Sequence, residues 1–469
     1  MKNLVTDSAT VRPNIGSSLM FFSALSADLL LVTIGGLMVW GSSAIPILSS
    51  KNNNPLDEPI TPLETSIILS APAFGALISL NFMAYISDLI GRRKSLLFLS
   101  ISFVICLCGI AFAKNIYIYY FFFFITGFNF SGSCVNVSTY NSEIVNDGNR
   151  AWLGCILGLS LPVGNLIGFI LGTYLTSITQ YTLAVGFPVY IHIILQYFMV
   201  ESPMYLASKN KKTDAIIALE KLRYYEKPID SELEYNCMEK LNLKSLNKNG
   251  KLFDIFSSAV ASKAFIISLI LSFTQQSCGM NIVMNYAVPI FNEAGSLLSG
   301  NYISLLLGVL QIVVYLAVML NINMLGRRHL LLFSSVGCAI STSVLAIYFY
   351  LKQFNPVAAA SITVVPVISA MTFVFSYSAG LGPITLSYLG ELFPNEIRAT
   401  AVATVLVLDA IVSLTLSFTF PLLVQSFGIY MCMSIYSLSA FTGFVLMTKF
   451  LPETRGKSFL KIQESLRNL

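Results

Sequence analysis

Charge is what this chain has least of. Only 11% of its 469 residues are Asp, Glu, Lys or Arg, against roughly 25% in a soluble domain, which excludes an ordinary water-facing surface. Tryptophan and histidine occur twice each, as Trp40, Trp152, His192 and His329. The two histidines are too far apart to suggest a metal or catalytic pair. None of the eight cysteines falls in a CxxC spacing, so they read as small buried hydrophobes. No HExxH or GxSxG is present, and GKS at 456–458 lacks the upstream glycine of a phosphate loop. The expectation is therefore no enzyme, no catalytic residue, no metal and no cofactor.

What is abundant is apolar sequence, 55% of the chain. Runs of about 20 apolar residues, enough to cross a hydrocarbon core, lie near 19–41, 63–86, 95–113, 116–139, 151–176 and 180–199. Six more lie near 261–290, 301–322, 329–350, 359–388, 400–423 and 428–450. This predicts an all-α membrane protein of twelve spans, with the lipid bilayer as its solvent. Lys2 and Arg12 lead into the first span with no small-residue cleavage site, so no cleavable signal peptide is expected. With both termini cytoplasmic, only Lys51, Lys114 and Lys352 of the 28 basic residues face outward, as the inside-positive bias requires. That bias also accounts for the net charge of +5, so no nucleic-acid partner is implied, and no obligate protein partner is indicated.

One long polar interval, KNKKTDAIIALEKLRYYEK within about 204–260, repeats apolar residues at helical spacing (Ala215, Ile216, Leu219, Leu222) among lysines. It predicts short amphipathic helices and divides the chain into a first half 1–203, a cytoplasmic linker 204–260, a second half 261–451 and a tail 452–469. The halves are related. SDLIGRRKSLLF (87–98) recurs as INMLGRRHLLLF (322–333), YNSEIVNDGNRA (140–151) as YLGELFPNEIRA (388–399), and ESPMYL (201–206) is answered by PETRGKSF (452–459). The offsets are 235, 248 and 252 residues. Three ordered matches predict two parallel six-helix repeats enclosing a central site.

Charged residues recur with the repeat. Inside-positive bias explains the arginines but not Glu143, Glu201, Glu391 and Glu453 at helix ends on the same side, because acidic residues contribute little to topology. Their recurrence predicts Glu to Arg pairs, including Arg150 and Arg398, that hold the cytoplasmic side shut in one state and break in another. Gly154, Gly158, Gly164, Gly168 and Gly172 form a small-residue stripe on the fifth span, predicting close helix packing. The seventh span carries QQSCGMNIVMNY, residues 275–286. At 100° per residue, Gln275 and Tyr286 share a face, while Gln276, Asn281 and Asn285 point elsewhere, so a straight helix cannot aim all five at one cavity. Gly279 offers a place to unwind. Neutral amides and a phenol match sugar hydroxyls; interhelical hydrogen bonding is the alternative use.

These motifs resemble, over nearly the whole chain, the sugar porters of the major facilitator superfamily: DLIGRR, YxxE with Arg150, ESPMYL, QQSCGMN, GPITLSYLGELFP and PETRGKS, in that order. YSAGLGP, LGELFPNEIRATA and the LPVGNLIG of the fifth span are most similar to the insect facilitated trehalose transporters. The resemblance implies the major facilitator fold and a sugar site lined by Gln275, Gln276, Asn281, Asn285 and Gln311. It also implies a cytoplasmic gate of Asp88, Arg92, Arg93, Glu143, Arg150, Glu201, Arg327, Arg328, Glu391, Arg398 and Glu453. Departures from the family pattern are Phe123 for the arginine of helix 4, Asn323 for an acid, Met204 for an arginine, Thr385 and Leu386 for Pro-Trp, and Asp409 and Ala410 for Asn-Trp. Asp409, a carboxylate deep in a span, stands as a substrate residue, a proton-coupling group or a buried structural partner. The implied function is facilitative transport of trehalose or a hexose across the plasma membrane by alternating access. A non-transporting sugar sensor and a proton-coupled symporter are the alternatives.

Overall fold

The structure of the protein is a computed structural model. It describes residues 17–469 apart from 52–53, 57, 147–148, 224–230, 240–258, 297, 394–396, 454–463, 465–466 and 468–469, and apart from the side chains at 80, 81, 84, 150, 151, 259, 322–325, 390, 391 and 399. Twelve helices among the described residues are long and apolar enough to cross a bilayer. In the first half they are α1 (Ser18–Met38, continued by Trp40–Leu48), α2 (Pro62–Ile90), α3 (Arg92–Ala111), α4 (Ile116–Ile144), α5 (Arg150–Tyr174) and α6 (Ile178–Val185, continued by Phe187–Leu195). In the second they are α7 (Ala259–Ser277, Met280–Asn285, Ala287–Ala294), α8 (Gly300–Leu325), α9 (Arg327–Phe354), α10 (Val365–Ala379, Leu381–Leu392), α11 (Arg398–Phe427) and α12 (Ile429–Phe450).

Local chemistry sets the ends. Thr61 and Glu64 form a capping box at the start of α2, with Pro62 in the first turn. Asn115 accepts from the Tyr117 N–H at the start of α4. The tenth span begins at Val365 rather than near 359, because Asn355 and Pro356 start a separate short helix, Pro356–Ala360. Between α2 and α3 there is a single residue, Gly91 at φ +102°, and Gly326 at φ +75° does the same between α8 and α9. The GRR motif thus places a glycine where a left-handed turn must reverse the chain within one residue.

Glycines also let helices touch. Gly164 lies against Val32 and Gly35 of α1, Gly168 against Gly36, and Gly172 against Ser43, so the stripe on α5 is a seam with α1. Gly158 instead faces Met319 of α8. Across the molecule α2 packs on α11 and α5 on α8. Since α8 and α11 are the repeat partners of α2 and α5, these are one contact made twice, on either side of the centre. The polar interval supplies helices Pro203–Ser208, Lys212–Leu222 and 231–239. Ala215 and Leu219 are buried there with Ala207 and Tyr235. Ser17 ties this unit to the start of α1 by donating its N–H to Leu222 O (3.0 Å) and its hydroxyl to Lys221 O (2.7 Å).

Candidate functional site

The polar stretch of α7 is where that helix breaks. Gly279 adopts φ +84°, a left-handed conformation, and caps the piece Met280–Asn285. The ring of Tyr436 on α12 fills the space that a side chain at 279 would need. Ser439, one turn further along α12, donates to Ser277 O at 2.7 Å, satisfying a carbonyl that the break releases. A second interruption follows at Tyr286, whose ring packs 4.6 Å from Phe420 of α11.

The two breaks send the polar side chains in different directions. Gln275 Nε2 donates to Leu381 O at 2.8 Å, at the break in α10 beside Gly380. Thr385 bonds the same carbonyl, also at 2.8 Å. Gln276 turns to α11, its Nε2 donating to Asp409 Oδ2 at 3.3 Å while its Oε1 accepts from Asn281 Nδ2 at 3.1 Å. Ser272 donates to Asp409 Oδ1 at 2.6 Å. Asn281, Gln276, Asp409 and Ser272 are therefore one connected network, with Asn281 at its exposed end.

The other two predicted site residues reach across to the first half. Asn285 Oδ1 accepts from Gly41 N–H at 3.2 Å, and Ser42 Oγ accepts from Val288 N–H at 3.0 Å. Both bonds join α1 just past its break at Val39 to the last pieces of α7. Gln311 Oε1 accepts from Asn165 Nδ2 at 3.1 Å, joining α8 to α5. Asn165 was missed as a site residue in the sequence; its only signal was an amide inside a stripe read as packing. The departures from the family pattern have structural counterparts. Phe123 meets Trp40 edge-on at 4.9 Å, and Trp40 Nε1 donates to Thr182 at 2.9 Å. Trp40 is fully buried and offers no free face. Asp28 lies in the first half, where its Oδ1 accepts from Asn141 Nδ2 at 2.8 Å.

At the arginine-rich end, Arg92 is the hub. Its guanidinium reaches Glu143 Oε1 at 3.0 Å and Asp88 Oδ1 at 2.7 Å, with Arg92 and Glu143 both largely buried. Ser202 donates to Glu143 as well. Glu201 has a different partner set: its Oε1 accepts the backbone N–H of Arg92 (3.0 Å), Arg93 (3.1 Å) and Ser202 (3.0 Å), capping the first turn of α3. Arg93 donates to the carbonyls of Gln196 (3.2 Å) and Tyr197 (2.9 Å). The repeat does the same in outline. Glu453 Oε2 accepts from Arg328 N–H at 3.2 Å at the start of α9, lies 3.7 Å from His329 Nδ1, and interacts electrostatically with Arg327. Arg328 donates to Thr448 O at 2.9 Å, and Arg398 to Phe393 O at 3.2 Å. The side chains of Arg150 and Glu391 lie outside the described residues. Each of these arginine and glutamate contacts stays within one half, whereas the Asn285 and Gln311 bonds cross between halves.

The family model described as "Sugar (and other) transporter" matches residues 33–466. Facilitated trehalose transporter Tret1 of Drosophila willistoni is 26% identical over 448 residues, 95% of this chain and 50% of that protein. Probable metabolite transport protein CsbC of Bacillus subtilis is 28% identical over 416 residues, 88% of each. The chain spans about half the length of the Tret1 proteins of Drosophila willistoni, Drosophila pseudoobscura pseudoobscura and Drosophila persimilis. Among solved structures, the xylose transporter XylE from E. coli in a partially occluded inward-open conformation has a TM-score of 0.77 at 20% identity, over 94% of this chain and 100% of that one. XylE bound to 6-bromo-6-deoxy-D-glucose, described as a major facilitator superfamily protein, gives 0.74 at 21% identity, over 96% of this chain and 100% of that one. That likeness shows the fold: two six-helix repeats in the major facilitator arrangement.

Proposed function

The chain belongs to the sugar (and other) transporter family, and from that premise we propose that it carries a sugar, trehalose or a hexose, down its gradient by alternating access. The observation that carries this reading is the connected amide and carboxylate network on the broken α7. Gln276, Asn281 and Asp409 offer uncharged amides and spare acceptors where the two halves meet, the chemistry that hydroxyl-rich ligands need. Gln275, Asn285 and Gln311 complete the site in this proposal, and Asn165 joins them from the first half.

Alternating access needs contacts that break cheaply at one end and hold rigidly within each half. The Gly41 to Asn285 and Ser42 to Val288 bonds cross the halves at the end away from the arginines. Two such neutral bonds contribute about 1–3 kcal/mol together, within reach of a two-state equilibrium a few kcal/mol apart. The Arg92, Glu143 and Glu201 contacts hold the first-half helices together as a unit that moves whole. We assign the arginine-rich end to the cytoplasm together with both termini, 204–260 to a cytoplasmic linker between halves 1–203 and 261–451, and 452–469 to a cytoplasmic tail. The membrane we propose is the plasma membrane.

Uptake of radiolabelled trehalose, glucose and fructose by cells lacking their own sugar porters tests this. Saturable uptake of at least one is expected. Binding without uptake would instead make the protein a sensor.

A further inference from the structure

The carboxylate of Asp409 has hydrogen bonds but, among the described residues, no counter-charge. Ser272 and Gln276 each donate to one of its oxygens, and an ionised carboxylate has about four acceptor positions, so about two remain. Among the described residues no Lys, Arg or His pairs with it. The α2 segment packed on α11 contains no Lys or Arg. Lys263 lies nine residues before Ser272, about 14 Å along α7. Arg398 and Lys449 sit at the ends of α11 and α12.

The carboxylate also sets the polarity of its neighbours. It accepts only, so the Gln276 amide must turn its NH₂ toward α11 and its Oε1 toward Asn281. Asn281 then spends one of its two N–H on Gln276 and keeps its Oδ1 as an acceptor, with the other N–H beside it, at the exposed end. A neutral amide at 409 would leave the Gln276 orientation open. With Asp409, this corner of the network presents the spare carboxylate positions and Asn281 Oδ1, with no Lys, Arg or His among the described residues paired to the carboxylate.

We propose that this corner selects a sugar bearing a protonated amine, an amino-hexose, over the same sugar without charge. An ammonium group brings three donors and the missing positive charge to the spare acceptors of Asp409 and Asn281. The inference rests on the sugar-transport reading above and names the class of sugar that its site prefers.

The test is competition against labelled glucosamine uptake at about pH 6.5, where the amine is cationic, using glucosamine, N-acetylglucosamine and glucose as competitors. The wild type should favour glucosamine over both neutral sugars by about tenfold or more, the scale of one charge-assisted hydrogen bond. Asp409→Asn, with its membrane level quantified, should lose that preference, glucosamine then competing no better than the two neutral sugars. Equal competition in the wild type, or a preference that survives in Asp409→Asn, overturns the amine assignment and leaves sugar transport standing. Should the variant fail to reach the membrane, Asp409→Glu must keep the preference, and its loss there overturns the assignment. No uptake or binding of any sugar overturns both.

Discussion

Gly279→Ala probes the hinge on which the site depends. Two terms oppose the substitution. Alanine in the left-handed region costs roughly 1–2 kcal/mol, and position 279 sits at φ +84°. A Cβ there would also come within 2.7 Å of Tyr436 Cε2, on a buried ring. Forcing an extra carbon into a packed site costs about 1–3 kcal/mol. The sum is about 2–5 kcal/mol, relieved only if α7 straightens. A straightened α7 would pull Gln276 and Asn281 onto different faces and lose uptake. Thermal stability of the detergent-solubilised protein, followed by fluorescence-detected size exclusion, should fall together with sugar uptake. A double-mutant cycle with Tyr436→Ala separates the terms: the steric part should appear as a favourable coupling of about 1–3 kcal/mol, the backbone part should not. A Gly279→Ala protein as stable and active as the wild type, or a cycle with no coupling, would refute the hinge.

Three further outcomes follow from the same contacts. Arg92→Ala strands the largely buried Glu143 and should destabilise by about 3 kcal/mol, seen as a lowered melting temperature, whereas exposed Lys209→Ala should not. Asn285→Ala removes one of the two side-chain bonds that join α1 to α7 among the described residues and should shift the population toward the state open at that end, read as faster labelling of a cysteine replacing the buried Ser43; unchanged labelling would show that the bond is not a closing contact. Uptake of a neutral sugar should be unaffected by a protonophore, and a fall in uptake would assign proton coupling in place of downhill transport.

Much of the fold was legible because a bilayer permits few solutions. Twelve long apolar runs and three ordered motif pairs left little freedom in span number or in the relation between halves. Helix interruptions were harder to read. Gly279 stood out as a glycine among polar residues, but no local signal in the sequence set Val39, Tyr286 or Gly380 apart as breaks, and released backbone groups are met by distant partners. Those partners, such as Ser334 for the Leu381 N–H and Ser439 for the Ser277 carbonyl, are 47 and 162 residues away in the chain and leave no local pattern. Glu201 and Glu453 were visible as recurring acids. That they receive the backbone N–H groups at the starts of α3 and α9, rather than a guanidinium alone, required the turns at Gly91 and Gly326. Asn165 escaped for the opposite reason, since the five glycines of the stripe around it made packing a sufficient explanation.

Counterflow in proteoliposomes containing only the purified protein tests the central claim most directly. Vesicles preloaded with unlabelled sugar should accumulate the labelled sugar transiently, above empty vesicles and above vesicles carrying Gly279→Ala, because an alternating-access carrier returns faster when loaded. Labelled sugar that binds the purified protein but enters preloaded vesicles no faster than protein-free ones would contradict the account and identify a sensor.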